Sequence, residues 1–216
     1  MDFNPSEFVL ILFTVIFSIT VHEFAHAWMA NLLGDDTAAR MGRLTLNPLP
    51  LMQAHLDTFV VLPILGALQG YGLGMASTPV TLTRVHRRWK MWQANALISA
   101  AGPVSNLLIA VLCAALLGPV PRMISGLDVE IAQHSRNLIL VLLHTNITLF
   151  LFNLLPVPPL DGFQVLFSLL PRGFDAIRQF MEEYRFILFI AVFVLGGRLI
   201  GPLAYTVTRF LVSALA

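Results

Sequence analysis

The sequence predicts an all-α integral membrane protein: a multi-pass helical bundle of about four to six membrane segments, with a re-entrant or hairpin segment at 59–75. Three observations carry this. Of 216 residues, 57% are hydrophobic and only 12% charged, against roughly 45–50% and about 25% in soluble domains. Four stretches approach the roughly 20 apolar residues that a spanning helix requires. The dense cationic cluster, Arg84, Arg87, Arg88 and Lys90, lies between two of them, as the positive-inside bias places cytoplasmic loops. A net charge of +1 leaves no electrostatic footprint for nucleic acid.

The first apolar stretch runs from about Phe8 to Leu33. The acidic "MDFNPSEF" before it lacks the basic start of a cleaved signal, so this stretch reads as a retained helix. Residues 34–58 form a polar connector. The run from Phe59 to Gly74 is short and interrupted by Pro63, Gln69 and four glycines, which suits a re-entrant segment better than a crossing. Trp92–Leu117 and Asn137–Leu155 are the next spans, and Cys113, the lone cysteine, reads as a small packing residue. A polar connector at 171–185 precedes Phe186–Leu215, which "GGRLIGP" either kinks or divides. With no repeat and no long soluble segment, 1–216 reads as a single membrane-embedded domain, its catalytic core at about 8–170 and its C-terminal membrane segment or segments at about 186–215.

The first span contains "TVHEFAHAW". His22 and His26, four residues apart, face one side of a helix and can share one ion, while Glu23 can reach a water on that ion. This is the His-Glu-x-x-His pattern of zinc peptidases. An ionisable residue near the centre of a spanning helix costs about 2.5–3.5 kcal/mol on insertion scales, so such residues mark function by default. Two imidazoles leave a catalytic zinc site incomplete. The third ligand comes from His55 or Asp57 in "AHLDTF", or from Asp161 in "FNLLPVPPLDGF". The second segment is favoured, because Pro156, Pro158 and Pro159 must unwind the helix before Asp161, and irregular backbone at membrane depth survives only in protein or beside a wet cavity. Asn106 and Asn153 suit either helix–helix hydrogen bonding or donation to a substrate carbonyl or developing oxyanion.

"HEFAH", "AAGPVSN" and "NLLPVPPLDG" in that order, with "GRLTLNP" after the first helix, resemble the site-2 proteases, the intramembrane zinc metalloproteases. The resemblance implies His22, His26 and Asp161 as ligands of one zinc ion, Glu23 as general base, and Asn106 and Asn153 as residues that hold or polarise substrate. It further implies a short bacterial or archaeal form, lacking PDZ and CBS modules, in a prokaryotic cell (inner) membrane. The substrate expected is a membrane protein or membrane peptide, cleaved within or near a spanning segment. Three departures from the family pattern are "DGF" where a second glycine is frequent, "NPLPLMQAHLD" with four inserted residues, and "MASTP" in place of a Lys-Pro.

Rival readings are a membrane metal-ion transporter, in which Glu23 has no evident task, and a catalytically inactive scaffold, which would usually lose a ligand or the base. A zinc peptidase with a Glu as third ligand would have to use Glu130, Glu182 or Glu183, all in polar connectors. Shared ligation also fixes topology: for Asp161 to meet His22 and His26, the helices before them must cross in the same direction. Phe59–Gly74 then cannot be a full crossing, and the site lies toward the cytoplasmic side.

Overall fold

A computed structural model describes residues 5–68, 77–126 and 128–215, the side chains of Asp57, Arg172 and Gly197 excepted. The chain forms α1 (Pro5–Leu33), α2 (Thr37–Arg40), α3 (Leu49–Ala54), a π-helical turn (Asp57–Val61) and α4 (Leu62–Leu68). It continues as α5 (Met91–Leu116), α6 (Pro119–Ser125), α7 (Val129–Asn153), α8 (Asp161–Leu169), α9 (Asp175–Glu183) and α10 (Arg185–Leu215). Helices α1, α5 and α7 are long and apolar enough to cross a membrane, and α10, bent by 53° between Gly196 and Arg198, makes a fourth. Of the two expectations for this stretch, one kinked helix or two pieces, the kinked helix matches α10.

Local chemistry explains the ends of these helices. Asp128 Oδ1 accepts from the backbone N–H groups of Glu130 and Ile131 at 2.8 and 3.0 Å, an N-cap that starts α7 eight residues before the apolar run at Asn137. At α5, Gln93 Oε1 accepts from the backbone N–H of Lys90 at 3.0 Å. Beyond Asn153, Pro156, Pro158 and Pro159 offer no N–H to a continuing helix, and α7 stops.

Side-chain pairs set the helix directions. His22 pairs with Asn106 and His26 with the Ile98 carbonyl, so α1 and α5 are antiparallel. Thr14 meets Thr145 and Ser18 meets Asn146, so α1 and α7 run the same way. His144 meets Thr208, and Phe152 lies against Gly196, which sets α10 antiparallel to α7. The end of α1 and the start of α5 thus share one end of the bundle, with Ala30, Leu33, Ala94 and Ile98 in one cluster. Residues 34–90 leave and return at that end. Their apolar helix, Thr58–Leu68, is about 16 Å long at 1.5 Å per residue, half of a ~30 Å hydrocarbon core. It packs inward, with Phe59 and Ala67 against Ile11, Val15 and Ile19 of α1. The remainder of that glycine-rich run, 69–76, lies outside the described residues.

After the prolines the chain resumes as α8, and Asn95 of α5 donates to Ser168 of α8 at 2.7 Å. Because Asp161 lies beside His22 and His26, α8 carries on toward the end where α1 finishes. Helices α7 and α8 are one path through the bundle, interrupted midway. At the break, Asp161 meets His22 and His26.

Candidate metal centre

His22, Glu23 and His26 are all buried on α1, at 6%, 3% and 7% exposure. The Ile98 carbonyl can only accept, so the His26 Nδ1 at 2.6 Å from it bears a proton, and the lone pair resides on Nε2. His22 Nδ1 is 2.7 Å from Asn106 Oδ1, which assigns the same tautomer to His22. Its Nε2 lies 3.0 Å from that of His26, and Asp161 Oδ2 lies 3.1 and 3.4 Å from the two nitrogens. With both imidazoles neutral, three electron-pair donors converge, an arrangement that calls for a cation among them. The spacing suits one: tetrahedral bonds of about 2.0–2.1 Å require donor separations of about 3.3 Å. The ligand atoms of His22, Glu23 and His26 all lie within 4.8 Å of one another.

Two glycines make this convergence possible. A Cβ on Gly102 would stand 2.3 Å from His26 Nε2 and 2.6 Å from His22 Cε1 and Nε2, so α5 presents bare backbone to the imidazoles. A Cβ on Gly162 would stand 2.2 Å from the Leu154 carbonyl oxygen. The turn that delivers Asp161 closes only with glycine there.

The donors open onto a cavity of about 460 Å³ whose lining includes Thr78, Asn95, Ser99, Asn153 and Gln164. Glu23 Oε2 accepts from the Thr78 hydroxyl at 2.8 Å. The segment carrying Thr78 is tethered on both sides. His55 Nε2 and Arg43 Nη1 donate to the Ser77 carbonyl at 3.0 and 3.2 Å. Buried Asp35 accepts from the Thr81 backbone N–H at 2.5 Å and from that of Thr37 at 3.0 Å. Nearby, the Arg40 guanidinium, hydrogen-bonded to Asp36, holds that carboxyl below its ordinary range.

Of the three candidates for a third ligand, Asp161 stands with the imidazoles, His55 is engaged by Ser77, and the Asp57 side chain lies outside the described residues. Glu130, Glu182 and Glu183 are not among the residues lining the cavity. Asn153 lines it, with its Nδ2 donating to the Leu149 carbonyl at 3.0 Å. Asn106 is fully buried behind His22, its Oδ1 facing the imidazole and its Nδ2 donating to Asn146 Oδ1 at 2.9 Å. Thr78, Asn95, Gln164 and Asn146 carried no signal in the sequence beyond being polar near apolar runs.

The family model described as peptidase family M50 matches residues 118–196, which include α7, the proline break and Asp161. YwhC of Bacillus subtilis (strain 168), whose name proposes a zinc metalloprotease, is 40% identical over 198 residues, 89% of this chain and 84% of YwhC. The chain belongs to peptidase family M50. Rip2 of Mycobacterium tuberculosis (strain ATCC 35801 / TMC 107 / Erdman), similarly named, is 31% identical over 194 residues, 85% of this chain and 68% of Rip2. No solved structure matches the chain. As an M50 member the protein is a zinc metalloprotease of the site-2 type, and its long apolar helices fall on the apolar stretches of the sequence.

Proposed function

We propose that this protein hydrolyses peptide bonds within or near membrane-spanning segments of other membrane proteins, with one zinc ion held by His22, His26 and Asp161. The observation that carries the reading is the convergence of two imidazole Nε2 atoms and one carboxylate oxygen within 3.0–3.4 Å of each other, inside a bundle of apolar helices and beside buried Glu23. When bound there, zinc supplies Lewis-acid polarisation of the scissile carbonyl and lowers the pKa of a water toward ~7.

The protein's own groups do the rest. Thr78 occupies Oε2 of Glu23, so Oε1 is the oxygen that takes a proton from the attacking water and returns it to the leaving nitrogen. Asn153, facing the cavity, donates to the substrate carbonyl. Asn106 has both ends of its amide engaged and acts by orienting His22. A scissile bond within a helix is shielded, so the substrate must unwind locally, and the polar walls offer partners to the freed backbone. Residues 34–58 and 84–90 lie on the cytoplasmic side of a prokaryotic cell membrane, by the basic cluster at 84–90 and by their sharing one end of the bundle.

Glu23→Gln tests the reading. It keeps the shape of the base and removes its proton affinity. Proteolysis of a membrane-embedded substrate should stop while zinc is retained, and turnover within about tenfold of the parent would remove Glu23 from the chemistry.

A further inference from the structure

We propose that Asn146, on α7, is a positioning residue for the metal centre: acting through Asn106, it fixes which ring nitrogen of His22 carries the proton and keeps Nε2 turned to the cavity as a lone-pair donor. The inference rests on the zinc reading above and extends it to a residue with no contact to His22.

Its basis is a run of hydrogen bonds from Ser18 to His22, both on α1, by way of α7 and α5, whose direction is set by groups that can act in only one way. The Leu142 carbonyl accepts from Asn146 Nδ2 at 2.9 Å. Ser18 Oγ spends its proton on the Thr14 carbonyl at 2.6 Å, which leaves its lone pairs to accept from Asn146 Nδ2 at 2.9 Å. Both protons of the Asn146 amide are thus committed, and its Oδ1 must face Asn106. Asn106 Nδ2 donates to that oxygen at 2.9 Å, which turns Asn106 Oδ1 to His22 Nδ1 at 2.7 Å. The run passes from His22 on α1 to α5, to α7, and back to Ser18, one turn before His22. Ser18, Asn106 and Asn146 are each 0% exposed, so water cannot replace a lost partner. Flipping either amide would set carbonyl against carbonyl or amino group against amino group. With the other His22 tautomer, two acceptors would face each other at 2.7 Å and a proton would point at the other ligands. His26 needs no such device, because a main-chain carbonyl already fixes it.

The test uses the full chain in detergent, with zinc affinity measured by chelator competition, the visible spectrum of the Co²⁺-loaded protein, and thermal unfolding. Asn146→Leu keeps the volume, removes both anchors and frees Asn106 to turn. Zinc affinity should fall about 10- to 100-fold, the range for partners that orient metal-binding histidines, and the Co²⁺ bands should change. Thr145→Val, which deletes the neighbouring α1–α7 contact with Thr14 outside the run, should lower stability but leave zinc affinity and the Co²⁺ spectrum as in the parent. An Asn146→Leu protein that binds zinc within about threefold of the parent with an unchanged spectrum would overturn the proposal, as would an equal affinity loss in Thr145→Val. Should Asn146→Leu not fold, Ser18→Ala removes one anchor without adding volume; a several-fold loss of affinity supports the proposal and parental affinity overturns it. A parent protein that takes up no zinc would overturn the zinc reading and this inference with it. A parent with one zinc and an unaffected Asn146 variant overturns this inference alone.

Discussion

Gly102→Ala isolates the steric requirement of the site. Within a helix this exchange ordinarily stabilises by about 0.5–1 kcal/mol. Here the new methyl would stand 2.3 Å from His26 Nε2, whereas ordinary contact begins at 3.4 Å. About 1 Å must be found by moving α5 or the imidazoles, some five times the ±0.2 Å tolerance of a metal–ligand distance. Overpacking of this kind costs about 1–3 kcal/mol, which leaves a net destabilisation of about 0–2.5 kcal/mol. The fold should survive and the site should not. The expected result is a variant that purifies in detergent with a slightly lower unfolding temperature, well under one zinc per chain by elemental analysis, and no proteolysis. Gly201→Ala on α10, another glycine before a proline but with no atom beyond its own helix backbone and chain neighbours within 4 Å of the new Cβ, is the matched control: it should keep its zinc. A Gly102→Ala protein with a full zinc complement and parental activity would refute the close backing of the imidazoles by α5.

Asp161→Asn should weaken zinc retention, because a neutral amide oxygen is a poorer ligand than a carboxylate, while Asp57→Asn should not; zinc content of both purified variants decides, and loss only with Asp57 reverses the assignment. Thr78→Val keeps the side-chain shape but removes the donor to Glu23; a hydrogen bond to a charged group is worth about 1.5–3 kcal/mol, so kcat should drop roughly 10- to 100-fold with zinc unchanged. Unchanged or faster turnover would mean that the hydroxyl merely fills substrate space. Single cysteines at Thr45 and Arg87, in a Cys113→Ala background, should both resist an impermeant thiol reagent applied outside intact cells. Labelling of one alone would break the shared-end topology.

What could be read from the chain alone was whatever a single segment encodes. The i, i+4 imidazoles with Glu23 between them declare their common face by helical geometry, and three prolines before Asp161 announce an interruption whichever helices surround it. His55 shows the limit: as a histidine near an aspartate it qualified as a ligand, and only the position of the Ser77 carbonyl reveals its other use. Within "AAGPVSN", Gly102 could pack a helix or clear space for a metal centre, and only the distance to His26 separates the two. For Asn106 the residues left helix–helix hydrogen bonding and substrate donation equally open, and the contact with His22 Nδ1 depends on the pairing of α1 with α5. Asn146 and Thr78 sit in no local pattern, and their roles exist only across helices.

The order in which the chain is made gives the break between α7 and α8 a further meaning. The amino-terminal end of a chain is made first, so His22, Glu23 and His26 are made before the helices that will enclose them. Asp161 follows only after α5 and α7, and Gly162 must then close against the Leu154 carbonyl to bring it in. Until that happens the nascent chain has a base and two imidazoles but not the proposed third ligand. The proposed zinc site, drawn from both ends of the core, is therefore completed only once α1, α5 and α7 have all been made.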